Sequence, residues 1–163
     1  MYRSRKTHAS CQKLKVPDRP RVYRREQPAL LPNRSLKREH PGLRLIVDHM
    51  GLATRGPEHK RVGERIKLIT SFAKHKNLAV KLSAIPGFSS EVYPFRDMTA
   101  HLRLLIDAFG PQRCFWGTDL THQRGKYHYR QYVTHFVEEL EFLSDDDRRQ
   151  IMGDAIVEFL GWK

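Results

Sequence analysis

Arg113-Cys114-Phe115-Trp116-Gly117-Thr118-Asp119-Leu120 is the stretch that decides the fold. Its apolar run lies between Pro111 and Gly117-Thr118-Asp119 and lacks the polar alternation of a half-exposed strand. It reads as a short parallel strand buried on both faces, because such strands need continuous apolar side chains. The chain then turns on small residues and presents one carboxylate, Asp119, at the strand's end. A polar loop, Thr121-His122-Gln123-Arg124-Gly125, follows.

Two upstream segments share this shape. Leu43-Arg44-Leu45-Ile46-Val47 ends in Asp48-His49-Met50-Gly51, and Leu78-Ala79-Val80-Lys81-Leu82 ends at Ser83, before the loop Ala84 to Ser90. Between them Val62, Ile66, Ile69 and Ala73 step by four, three and four, which predicts an amphipathic helix over 59–75. Met98, Leu102, Leu105 and Phe109 repeat the spacing, and Gly110-Pro111 closes that helix. Val133, Phe136, Val137 and Leu140 predict another over 128–143. Ser144 with Asp147 forms a capping box for the last helix, whose expected buried face is Ile151, Met152, Ala155, Ile156, Phe159 and Leu160, with Gly161 as its stop. The polar strand ends His49, Ser83 and Asp119 fall 34 and 36 residues apart, close to the ~31 per unit of a roughly 250-residue barrel divided by eight. Right-handed crossovers make the strands parallel, so the three ends share the side on which such sheets bind ligands.

A chain of 163 residues with 39% apolar content supports one domain with a real core. Its net charge of +12 is unevenly spread: residues 1–40 hold 12 Lys and Arg against 3 Asp and Glu, residues 41–163 hold 18 against 15. Pro17, Pro20, Pro28 and Pro32 interrupt any regular element in the first 40 residues. Two regions follow: 1–40, a basic Arg/Pro-rich segment expected to be disordered, and 41–163, the folded part. An Arg-rich arm can neutralise phosphates, but no aromatic platform or helix-turn-helix pattern accompanies it, so nucleic acid is not the expected partner. Two cysteines, no apolar span of ~20 residues and no secretory pattern lead to the expectation of a cytoplasmic protein without membrane attachment.

A carboxylate at one strand end and an imidazole at a second suit either a metal site or a general acid/base pair, with His49 and Asp119 as the candidates. The plainer reading stands beside it: Asp119 as a turn cap and His49 as a structural residue.

Three blocks, Val47-Asp48-His49-Met50-Gly51, Val80-Lys81-Leu82-Ser83 and Phe109-Gly110-Pro111-Gln112-Arg113-Cys114-Phe115-Trp116-Gly117-Thr118-Asp119, resemble successive blocks of the amidohydrolase-related (amidohydrolase 2) family. Phe142-Leu143-Ser144, Ile151-Met152-Gly153 and Phe159-Leu160-Gly161-Trp162 resemble its closing helices, so the likeness covers about residues 40–163. The resemblance implies an α/β fold, a partial TIM barrel made of the three C-terminal parallel strands and their helices. It implies a metal-dependent hydrolase of a small carboxylate, lactone or amide, or a decarboxylase. Asp119 would be metal ligand and proton acceptor, and His49 would polarise substrate or shuttle protons. Ser83 and Tyr93 would line the substrate cavity, with His122 within reach of substrate. The divalent metal, zinc or manganese, would meet an incomplete ligand set, because family members begin with His-x-His or Glu-x-His and none of the nine histidines here forms His-x-His. The expectation is therefore a fragment, a truncated or frame-disrupted hydrolase sequence. The alternatives are an inactive α/β interaction module, forming a homo-oligomer through its sheet edges, and a nucleic-acid binder working through residues 1–40.

Overall fold

A five-residue strand, β2 (Leu78–Leu82), lies between β1 (Leu45–Val47) and β3 (Cys114–Trp116) in a parallel sheet of order β1-β2-β3. The computed structural model describes residues 43–52, 61–121 and 127–162; the segment 1–40 and His122 lie outside them. The helices are α1 (Val62–Thr70), the single turn α2 (Ile85–Phe88), α3 (Thr99–Phe109), α4 (Tyr129–Thr134), α5 (Asp145–Arg149) and α6 (Ala155–Leu160). The expected order of parallel strands and helices is met.

The pleat sorts the strand residues onto two faces. Leu78, Val80, Leu82 and Cys114 join Ile66 and Ile69 of α1 and Leu102, Leu105 and Phe109 of α3 in the main core. Burying each such aliphatic side chain is worth roughly 1.5–3 kcal/mol, which is what holds these helices to the sheet. On the other face Ala79 and Phe115 meet Ala155, Ile156 and Phe159 in a smaller cluster. That face is covered mainly near β3. β2 is therefore buried as expected, whereas β1 is not: Ile46, paired with Ala79, remains 39% exposed.

Register sets the height of the strand ends. Val47 of β1 pairs with Val80, and Val80 pairs in turn with Cys114, so β1 matches the first part of β2 and β3 the last. Continuing each register brings the residues just past β1 and β3 level with Leu82 and Ser83. Near the start of β2, Arg113 donates from Nε to the Phe109 carbonyl at 2.9 Å and from Nη1 to the carbonyls of Ala73, His75 and Leu78 at 2.9, 3.0 and 3.2 Å.

Two helices differ from their predicted form for the same reason. α4 continues into a π turn over His135–Glu139, and α5 reaches α6 through another over Gln150–Asp154. Each π turn widens the i→i+4 ladder to i→i+5 and rotates the side chains that follow. Val137, expected inside, is 44% exposed, while Tyr132, His135 and Phe136 are buried; Leu160, also expected inside, is 39% exposed. The loop expected at 84–90 contains the turn α2. The Ser144–Asp147 capping box and the left-handed Gly161 stop form as predicted.

Candidate active site

All three strands leave the sheet through left-handed backbone. His49 and Met50 follow β1 at φ +49° and +58°, Ala84 follows β2 at +60°, and Asp119 follows β3 at +54°. For residues with a Cβ this conformation costs roughly 1–2 kcal/mol each, so it persists only where the surroundings enforce it. Two glycines supply part of that enforcement. Gly51, at φ +69°, leaves no room for a Cβ, which would lie 2.4 Å from Ile69 Cδ1. A Cβ on Gly117 would stand 3.2 Å from Ser83 Cβ, so this glycine lets β3 close on the end of β2.

The turns bring His49, Ser83 and Asp119 together. His49 Nδ1 lies 2.8 Å from Ser83 Oγ, and Ser83 is fully buried. His49 Nε2 lies 3.8 Å from Asp119 Oδ2 and 3.6 Å from Asp48 Oδ2. Nε2 faces the two carboxylates, and with Ser83 donating to Nδ1 it is Nε2 that carries the proton; with Ser83 accepting, the ring roles are reversed. The Asp119 side chain is 11% exposed and the Asp48 side chain 59%, so the pair differs in its access to water. Lys81 makes an ion pair with Asp48 on the solvent side. Asp48 and Lys81 thus belong to the site as well; both stand inside the sequence blocks quoted above, where they were given no role.

Tyr93, in the loop after β2, packs its ring edge-on against Phe95. Its hydroxyl is spent on Thr134 Oγ1 at 2.8 Å and Glu139 Oε1 at 3.0 Å, tying the loop after β2 to α4. Burial pushes its phenol up, and the Thr134 hydrogen bond only partly opposes this. The same loop is stitched by Asp97, which accepts from Ser89 Oγ and from Ser90 N and Oγ. Burial acts to raise the Asp97 pKa, but these hydrogen bonds outweigh it and hold the carboxyl below its ordinary value.

A narrow crevice opens beside Gly117, lined by Pro86, Phe95, Trp116, Tyr132, His135 and Phe136. Trp116 Nε1 donates to the Tyr132 carbonyl at 3.2 Å, fixing α4 against β3. Tyr132 and His135 were missed in the sequence because their spacing on the helix resembles ordinary core packing. Desolvation lowers the His135 pKa to about 4, despite the opposing influence of the Pro94 carbonyl and Glu139. Desolvation raises the Tyr132 pKa, with the charge of Asp119 adding to the effect.

A catalytic zinc takes three protein ligands. Among the described residues no three His, Cys, Asp or Glu side chains converge as such a set. Asp119 and His49 therefore do not by themselves complete a metal centre.

Comparison with known proteins agrees with this architecture. A family model described as amidohydrolase matches residues 3–162, a match that runs through the basic segment as well as the folded part. The chain is 30% identical over 146 residues to an L-fucono-1,5-lactonase of Burkholderia ambifaria, across 85% of this chain and 47% of the relative. Among solved structures it is similar to an amidohydrolase from Burkholderia multivorans described with bound zinc. The TM-score is 0.64 at 21% identity, over 78% of this chain and 47% of that one. A protein from Agrobacterium tumefaciens in its apo form gives a TM-score of 0.52 at 17% identity, over 79% and 48%. The chain spans about half the length of these relatives.

Proposed function

Because the chain belongs to the amidohydrolase family, we propose that its strand-end site hydrolyses a small lactone, with Asp119 as proton acceptor and His49 as hydrogen-bond donor. The observation that carries this reading is the convergence of Nε2 of His49 on Oδ2 of Asp119, 3.8 Å apart at the ends of two parallel strands. The likeness to a lactonase supports the choice of substrate class.

The chemistry follows from the positions. A water placed beside Asp119 gives a proton to the carboxylate as its oxygen attacks the lactone carbonyl. The developing oxyanion accepts a hydrogen bond from His49 Nε2, held at the right height by Ser83 through Nδ1. When the ring C–O bond breaks, the alkoxide takes the proton from Asp119, leaving a hydroxy acid and the carboxylate restored. Asp48 and Lys81 form an ion pair beside His49 that fixes the charge on its exposed side.

Zinc in a solved relative supports metal dependence of the complete fold. Asp119 would be this chain's ligand to such a metal, and no step above depends on one. Lactone hydrolysis followed by acid release at constant pH tests the proposal. Asp119→Asn is expected to lower kcat at least about 100-fold, with His49→Gln intermediate, and an Asp119→Asn protein as active as the parent would remove Asp119 from the reaction. Added zinc or manganese, followed by equilibrium dialysis, should show weaker retention by Asp119→Asn.

A further inference from the structure

Each of the three strands brings a cation to its entrance. Arg44 stands directly before β1, Lys76 two residues before β2, and Arg113 directly before β3. Because the strands are parallel neighbours, the three entrances share one end of the sheet, opposite the turns that hold His49, Ser83 and Asp119. There the three cations line a single pocket of about 460 Å³, together with Asn77 and Phe159. That volume falls within the roughly 300–1,000 Å³ of small-molecule sites.

Charge in this pocket is unbalanced. Glu158 is the one carboxylate of its lining, and among the described residues none of the three cations forms an ion pair with it or with any other carboxylate. Like charges gathered on a concave wall repel one another and concentrate a positive potential there. Two of the three are held in place by the fold. Arg113 spends Nε and Nη1 on four main-chain carbonyls, which leaves Nη2. Arg44 donates from Nη1 to the Phe159 carbonyl and lies 5.9 Å from the centre of the Phe159 ring, which leaves Nε and Nη2. Lys76 is exposed and makes no hydrogen bond among the described residues. Two anchored guanidinium forks and one movable ammonium are the donor set that an oxyanion takes. Three cations against one carboxylate leave two positive charges, the complement of a phosphate dianion.

We propose that this pocket binds a phosphate dianion, free or as the monoester of a small molecule, with Arg44, Lys76 and Arg113 as its ligands. The pocket lies at the far end of β2 from the strand-end site, so it stands whether or not that site is a lactonase. A bound dianion relieves the repulsion among the cations and thereby stabilises the folded chain over the unfolded one.

The test is thermal unfolding of the full chain with inorganic phosphate or ribose 5-phosphate, against potassium chloride of the same ionic strength. At about 10 mM ligand the midpoint should rise by about 3 °C. Arg44→Met and Lys76→Met should each lose that rise and weaken the calorimetric Kd about tenfold. Lys76→Met breaks no hydrogen bond among the described residues, so it carries the test if Arg44→Met fails to fold. Lys67→Met, an exposed change on α1 of the same charge, should leave both readings as in the parent. A larger rise with ribose 5-phosphate assigns the pocket to monoesters, and an equal one to phosphate itself. The absence of a rise with either ligand overturns the proposal. A rise that persists in Lys76→Met overturns it too, because the anion then sits elsewhere on the chain, and so does an equal loss in Lys67→Met, because net charge alone then explains the binding.

Discussion

Protonating His135 would place a charge among Phe95, Phe136 and Pro86, where water does not reach. Its pKa of about 4 in the fold lies below the ordinary 6.5, with desolvation as the main cause. Between these values the unfolded chain holds a proton that the folded chain refuses. This contribution to stability is therefore complete above pH 6.5 and is lost as the pH falls toward 4. Urea unfolding at pH 7 and pH 5 should show about 2 kcal/mol more loss in the parent than in His135→Gln, from the linkage of 1.36 kcal/mol per unit. Equal losses would mean that His135 titrates normally. At this scale the sequence made His49, Ser83 and Asp119 visible, because each stands where an apolar run stops. His135 was hidden. Nothing local distinguishes a buried histidine in a helix from an exposed one, and the π turn that carries it inward depends on packing.

Elements meet through the turn after β1, where Gly51 lies under Ile69 of α1. Gly51→Ala would combine a left-handed alanine with a methyl 2.4 Å from a buried side chain. A loss of about 2 kcal/mol is expected, seen as a lower denaturant midpoint at an unchanged m-value. An unaffected midpoint would show that Ile69 can move aside. The β/α period was legible because strand-like runs and helical spacing alternate cleanly, and Gly110-Pro111 and Ser144-x-x-Asp147 mark boundaries with backbone chemistry. The π turns were not legible. A three-and-four spacing fits a regular helix, and adding one residue to a turn changes which side chains face inward without altering that pattern, as Val137 and Leu160 show. The exposure of Ile46 was equally hidden, since an apolar strand residue does not state which layers will cover it.

For the molecule as a whole, Cys114 reports on the integrity of the core. Its sulfur lies 4.0 Å from the Leu105 carbonyl between β3 and α3, and burial pushes the thiol up to about 12. In a Cys11→Ser background a thiol reagent should label almost no protein until the unfolding transition, and labelling should then follow the loss of secondary structure. Rapid labelling of native protein would reveal local opening at β3. Arg113, in the next position, has a different consequence. Its guanidinium grips the carbonyls of Phe109, Ala73, His75 and Leu78, so every acceptor belongs to the main chain. Mutational tolerance around this clasp is one-sided: as far as it is concerned, positions 73, 75 and 78 can drift through many side chains, because each new residue brings the same carbonyl. Position 113 has no such latitude. A lineage of these sequences can thus rewrite the floor of its sheet while one arginine keeps two crossover units in step.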